Sequence, residues 1–401
     1  MSKGAIGVEP YWPQGVMRYL APPVIPPEEA FVRRPLSRAG KSVALREGDR
    51  ALTYGELTSE VEARAALVPS LLGEGQRLAL VLSSRMEEAL WLLAALWARC
   101  HVYPVDPSLP PSDVQRSLQR FQPDVVLVEE GAWVPLLEPW QSACVLVDQL
   151  RPEGRAQRRP GEAFLYLAGE GGALFRFSSR ALLAMAVSWS AYLDVKGVVL
   201  QVEPLGTWEG LCTLLSALFR ASQILQADVA NGRLEMLREM EAYYSVVRWD
   251  WAQYLAEGLP RGRIGAVYLS VREPPPPRQF RRLANLLYPS LALLVFGLPE
   301  IGPAVAHHPG WFLEDSIGLP ITNVDLWPLN PETGEPLDLS WEALEYGEMG
   351  VKSPMVASGA LPEEAWGERV RGEWIRTHRL AQSDANGFLY LLPHRVRASG
   401  S

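Results

Sequence analysis

From residue 52 onward, short unbroken apolar runs alternate with stretches in which apolar residues recur every three or four positions, and few folds accept that alternation. The runs at 78–82, 125–128 and 144–147 are apolar at nearly every position. Such runs suit strands covered on both faces, as in a parallel sheet. Between them, Thr53 with Glu56 and Ser84 with Glu87 have the spacing of capping boxes. Each opens a helix-period series: Leu57, Val61, Leu67 and Leu71, then Leu90, Leu93 and Leu96. The arginine-rich stretch 151–162 breaks the rhythm and reads as an exposed linker. Strand-like runs then resume at 164–168, 198–202, 224–225, 246–247, 267–269 and 291–296.

Beyond about residue 301 the chain becomes rich in turns and strands. Asn330-Pro331-Glu332-Thr333-Gly334 and Asp384-Ala385-Asn386-Gly387 are turn signals between strand candidates, as in a small antiparallel sheet or barrel. The prolines at 274–277 form a rigid spacer. No internal repeat interrupts the pattern. The expectation is an α/β protein of two α/β/α subdomains with mainly parallel sheets, at 1–160 and 161–300, followed by a small β-barrel subdomain at 301–401.

A 401-residue chain with 48 % hydrophobic and 21 % charged residues can bury a large core. Its net charge of -8 gives no electrostatic reason to approach nucleic acid or an anionic membrane. Cys100, Cys144 and Cys212 are far apart, odd in number and without metal-ligand spacing, so reduced thiols in the cytoplasm are expected. The start has no signal-peptide pattern, and the apolar run at 89–98 is far below membrane-spanning length. Lysine occurs only at Lys3, Lys41, Lys196 and Lys352.

Several ordered segments resemble the AMP-forming, adenylate-forming superfamily of acyl-CoA synthetases, aryl-CoA ligases and peptide-synthetase adenylation domains. ALTYGELTSEVEARAALV is similar to the family's LTYxEL helix, and VYPVDPSLPPSDVQRSLQRFQPDVVLVEE to its xxPLDPxxP stretch. FGLPEIG resembles YGxTE, and NPETGEPL and YGEMGVKSP resemble DPETGEPL and GELxVRGP. EWIRTHRLAQSDANGFLYL resembles WxRTGDLAxxDxDGFLYL. The resemblance implies an acyl-CoA synthetase-like N-terminal portion that binds ATP or AMP with Mg²⁺, and a carboxylic acid, where three subdomains meet. It also implies an acyl-adenylate that a thiol such as CoA then attacks. The segment at 391–401 stands where the family has its acidic hinge, which it lacks, and the mobile C-terminal domain with its lysine is expected to be absent.

Residue by residue, the resemblance implies a degenerate nucleotide site. The phosphate loop corresponds to Gly169, Glu170, Gly171, Gly172, Phe175 and Arg176. Its glycines still suit an anion cradle, but the hydroxyls are gone and Glu170 brings negative charge. Phe175 holds the lysine position, unless Arg176 shifts into it. Phe296 and Gly297 match the aromatic and glycine beside adenine, and Glu300 matches the Mg²⁺-linked acid and is the best catalytic candidate. Pro299 replaces a hydroxyl residue. At Thr377-His378-Arg379 the family has T-G-D, and Arg379, having only donors, cannot accept from the ribose hydroxyls. Trp208 falls in the stretch that lines the acyl pocket. His307 and His308 are adjacent and on a strand would face opposite sides. Two functional readings follow: an acyl-activating ligase with impaired activity, whose missing domain a separate chain supplies, or a non-catalytic module that binds an acyl acid, a thioester or a carrier protein.

Overall fold

The computed structural model describes residues 11–73, 75–106, 109–129, 137–157, 160–227, 240–337 and 346–395. Part of the 151–162 stretch, part of the xxPLDPxxP-like stretch and the end of the 391–401 segment fall outside the described residues. Among the described residues two large sheets and one smaller sheet carry the architecture. In the seven-stranded sheet the order is Gly359–Leu361, Leu174–Ser178, Phe164–Ala168, His101–Pro104, Arg77–Val81, Val125–Val128 and Cys144–Leu146. Its middle is parallel, with Leu78 in register with Val102 on one side and Val125 on the other. The nine-stranded sheet runs Leu319–Pro320, Gly302–Ala306, Leu291–Leu298, Ile264–Val271, Ala242–Arg248, Val198–Gln201, Gln223–Gln226, Val43–Glu47 and Arg50–Thr53.

Helices fill the space between the two sheets. Arg85–Trp97 touches strands of both, as does Ser179–Leu193. Each of these helices, like Trp208–Arg220, buries nearly all of its residues. Each fully buried leucine among them stabilises the fold by roughly 1.5–3 kcal/mol. The outer helices differ: Pro111–Phe121 buries only Val114, Ser117, Leu118 and Phe121, and Pro277–Leu287 only Phe280, Leu283 and Leu287. That spacing is one stripe of a 3.6-residue period.

Local chemistry sets several helix starts. Thr53 and Glu56 form the reciprocal box, with Thr53 N–H donating to Glu56 Oε2 at 2.8 Å and Glu56 N–H to Thr53 Oγ1 at 3.2 Å. Ser84 forms only half of one. Glu87 N–H donates to Ser84 Oγ at 3.2 Å, but the Glu87 carboxylate is held by Arg50 at 2.6 Å and Arg64 at 2.9 Å. Glu47 reaches over from its strand instead and accepts from Arg85 N–H at 2.8 Å. The expected turns form as asparagine and aspartate chemistry dictates: Asn330 Oδ1 accepts from Glu332 and Thr333 N–H, and Asp384 Oδ1 from Asn386 and Phe388 N–H.

The expected boundaries at residues 160 and 300 do not divide the sheets. Hairpin Val43–Thr53 belongs to the nine-stranded sheet, and strands Phe164–Ala168 and Leu174–Ser178 belong to the seven-stranded one. Gly302–Ala306 and Leu319–Pro320 close the antiparallel edge of the nine-stranded sheet. Strand pairing across long sequence separations decides this, and helix period and apolar runs carry no record of it. The C-terminal sheet is antiparallel, with Asp325–Leu329, Tyr346–Lys352, Trp374–Ser383 and Val370–Arg371 in order and Leu389–Arg395 also paired to Trp374–Ser383.

Candidate functional site

The glycine loop joins two antiparallel strands, and its own side chains fill it. Gly169 N–H donates to Ala173 O at 2.7 Å, while Gly171 and Gly172 have φ of 67° and 73°, a backbone glycine enters without strain. A Cβ at Gly169 would lie 2.5 Å from Phe175 Cε2, so the phenyl ring rests directly on the loop backbone. Arg120, from helix Pro111–Phe121, donates to Gly171 O at 2.8 Å. Arg176 lies on the face of the hairpin opposite Phe175, with its guanidinium 4.8 Å above the Phe164 ring. It does not join the loop.

Glu170 points outward and is met by two guanidinium groups. Arg272 Nη1 and Arg379 Nη2 each stand 3.7 Å from its Oε1. Arg379 is itself 7 % exposed and donates from Nε to Arg272 O at 3.0 Å, which ties the C-terminal sheet to the end of strand Ile264–Val271. Glu170 and Arg379, the two charges that depart furthest from the family pattern, are therefore partners.

His378 has φ of 53°, so its backbone keeps the left-handed conformation that favours the glycine of T-G-D. Its N–H donates to Glu348 Oε1 at 2.9 Å, and Arg376 Nε donates to both Glu348 oxygens at 3.1 and 3.0 Å. Burial alone would push the Glu348 carboxyl up, but the hydrogen bonds from His378 and Arg376 outweigh it and hold the carboxyl below its ordinary range.

Phe296 and Gly297 sit inside strand Leu291–Leu298. Phe296 is fully buried, in register with Val271 and Val305. A Cβ on Gly297 would meet Trp208 Cζ2 at 2.6 Å and Gly302 O at 2.7 Å, so the fully buried Trp208 ring occupies the space beside the glycine. The Trp208 indole nitrogen finds no hydrogen-bond partner among the described residues. Glu300 is 2 % exposed, and its Oε1 is 3.1 Å from Arg369 Nη1. Pro299, half-buried beside it, contributes no hydroxyl. His307 is buried between Leu294 N–H, 3.2 Å from Nδ1, and Ser316 O, 2.7 Å from Nε2; burial pushes its pKa down to about 4.

A second cluster, which the motif comparison did not reach, lies at the carboxyl ends of the parallel strands, where open α/β sheets hold ligands. Arg248 ends strand Ala242–Arg248, donating from Nε to Glu203 at 2.7 Å and from Nη1 to Asp106 at 3.1 Å. Glu209, in the first turn of helix Trp208–Arg220, accepts from Ser270 Oγ at 2.7 Å. Glu88 accepts from Leu205 N–H at 3.2 Å. Burial raises the carboxyls of Glu88 and Glu203 to about 7 against the lowering pull of Arg85 and Arg248, and it also raises that of Glu209. The legible signal was a charged residue directly after an apolar strand, at Asp106, Glu203 and Arg248. Among the described residues no group of three or more His, Cys, Asp and Glu side chains is arranged to hold a metal ion.

The family model described as AMP-binding enzyme matches residues 32–164. Over that stretch, about a third of its length, the chain is similar to AMP-binding enzymes. Unliganded o-succinylbenzoate coenzyme A synthetase from Bacillus subtilis superposes with a TM-score of 0.77 at 19 % identity, covering 90 % of this chain and 78 % of that one. The N-terminal domain of FACL13 from Mycobacterium tuberculosis gives 0.76 at 16 % identity, covering 90 % and 98 %. At such identities the likeness establishes the fold. By sequence, N-(5-amino-5-carboxypentanoyl)-L-cysteinyl-D-valine synthase of Penicillium rubens is 32 % identical over 105 residues, which span 26 % of this chain and 3 % of the synthase. Among the described residues no helix is long and apolar enough to cross a membrane.

Proposed function

We propose that this chain is an adenylate-forming scaffold whose ATP-dependent carboxylate activation is impaired or lost, and whose cleft serves to bind a small carboxylic acid or an acyl thioester. The observation that carries the reading is the pairing of Glu170 with Arg272 and Arg379 at 3.7 Å. In this reading a carboxylate stands on the loop that the resemblance assigns to phosphate, and a guanidinium stands where ribose hydroxyls need an acceptor. Triphosphate with Mg²⁺ does not fit the residues present. Phe175 covers Gly169, and Trp208 fills the space beside Gly297. By contrast, an o-succinylbenzoate coenzyme A synthetase structure of the same fold holds ATP and a magnesium ion.

The strand-end cluster supports retention of a ligand site, since Arg248, paired with the buried Glu203 and Asp106, still has a side chain 19 % exposed. An anionic head group that meets Arg248 while its apolar part lies in the cleft is the chemistry this allows. A cytoplasmic setting is part of the same reading, and Cys100, Cys144 and Cys212 carry free thiols. The test is ATP-pyrophosphate exchange over a broad panel of carboxylic acids, together with calorimetry using ATP and Mg²⁺. Silence in both is expected, and exchange with any acid would remove the reading.

A further inference from the structure

Helix Pro277–Leu287 packs on strand Leu291–Leu298 and helix Trp249–Gly258 and buries Phe280, Leu283 and Leu287. Its opposite face carries Arg278, Arg281, Arg282 and Asn285, all exposed. Tyr288 follows about two turns beyond Arg281, so it continues that face, and it is 72 % exposed. Residues 277–291 contain no aspartate or glutamate, and Glu273 is separated from Arg278 by four consecutive prolines. The neighbouring helix brings Asp250 and Glu257, of which Glu257 accepts from Gln253 Nε2 at 2.9 Å. Among the described residues none of the three arginines forms an ion pair or a side-chain hydrogen bond.

Two local effects oppose this arrangement. Arg278 stands in the first turn, where the helix dipole disfavours a cation, and the last turn, where the dipole would favour one, holds no basic residue. Arg278 also lies three and four positions from Arg281 and Arg282, spacings at which like charges repel. Solubility gives no reason for the stripe either, because three positive charges bring a chain of net charge -8 closer to zero. A row of guanidinium forks with an exposed phenol ring at its end suits a surface that supplies carboxylates and a small apolar area. We infer that this face docks an acidic amphipathic helix of a partner protein. Carboxylates at helical spacing on that partner meet Arg278, Arg281 and Arg282, and its apolar edge meets Tyr288. Nucleic acid and anionic membranes are extended polyanions that the negative charge of the whole chain repels at long range, whereas one helix touches the stripe alone.

The test is fluorescence anisotropy of the full chain with a labelled helical peptide that carries glutamates at i, i+3, i+4 and i+7 on one face and leucines along its edge. Saturable binding that weakens as salt rises is expected, because exposed charges are screened within about 10 Å at 0.1 M. A peptide of the same composition with its glutamates scattered round the helix should bind several-fold more weakly. Arg281→Glu with Arg282→Glu should weaken binding about tenfold or more. Thermal unfolding of that variant should stay where it was or move up, since repulsion along the helix is relieved. Arg278→Gln, which removes one exposed charge, should give a smaller loss and decides the matter if the reversed pair fails to fold. Arg281→Lys with Arg282→Lys should retain most of the affinity. Absence of saturation at submillimolar peptide overturns the inference. So does equal binding of the scattered peptide, binding that survives charge reversal, or tighter binding of a DNA duplex or of phosphatidylserine vesicles at the same arginines. The outcome is independent of whether the cleft takes ATP.

Discussion

On the loop wall of the cleft, Glu170 has a side chain 56 % exposed and faces two guanidinium groups at 3.7 Å, whereas on the strand-end wall Glu203 is 3 % exposed and meets Arg248 at 2.7 Å. The first contact sits in water, where an ion pair is worth about 0–1 kcal/mol. The second is desolvated, and there the loss of one partner leaves a buried carboxylate that stays unpaired or takes up a proton. The loop wall is thus free to exchange its carboxylate for another anion at little cost, while the strand-end wall is part of what keeps the two large sheets together. Changes on the first wall should alter what binds. Changes on the second should alter whether the protein stays folded.

The largest effect is expected from Arg248→Ala, which leaves Glu203 and Asp106 buried without their cation. A loss of about 3–5 kcal/mol is predicted from chemical denaturation, with Arg248→Lys losing less because charge remains although the fork is gone. If Arg248→Ala unfolds no more readily than the parent, the strand-end wall is not the rigid one. A smaller effect is tied to pH. The Glu88 carboxyl is raised to about 7 when folded and lies near 4.5 when unfolded, so its protonated form stabilises the fold fully below 4.5, and that contribution is lost as pH rises to 7. Relative to Glu88→Gln, the parent should lose roughly 2–3 kcal/mol between pH 5 and 8. His307 has the opposite slope. Its folded pKa is near 4 against 6.5, so stability falls as pH drops through that window. Comparing unfolding curves of parent and Glu88→Gln isolates the carboxyl, and parallel curves would show that Glu88 does not hold its proton.

Gly297→Ala tests a contact between the walls. The added methyl would stand 2.6 Å from the Trp208 ring and 2.7 Å from a backbone oxygen, and overpacking of this kind costs about 1–3 kcal/mol. Thermal unfolding of Gly297→Ala beside Gly297→Ala with Trp208→Phe should show partial rescue by the smaller ring; without rescue, the clash lies with Gly302 O. The glycine itself was legible in the FGLPE motif, but the tryptophan beside it was not, because 89 residues separate the two and only strand pairing brings them together. The same limit runs through the site. Thr53 with Glu56 could be read as a cap, since both partners lie within one turn. Glu87, with the same spacing from Ser84, was drawn away by Arg50 and Arg64, which no local pattern announces. Glu170 and Arg379 were each legible as departures from the family pattern, yet their pairing depends on how the C-terminal sheet docks on the nine-stranded one.

The smallest effect on stability, and the sharpest on ligand choice, is expected from Glu170→Gln. An exposed carboxylate at 3.7 Å from its partners contributes little, so unfolding should shift by less than about 0.5 kcal/mol. Its removal takes one negative charge off the glycine loop and relieves Arg272 and Arg379 of that neighbour. Affinity for ATP should therefore rise measurably over the parent in calorimetry, and more at low salt than at high. Adding Arg379→Asp returns an acceptor to the ribose position and removes the cation that Glu170 faced, so the two changes should be non-additive in ATP binding. If Glu170→Gln instead destabilises the protein as much as Arg248→Ala does, the loop is locked rather than latched, and the contrast between the two walls disappears.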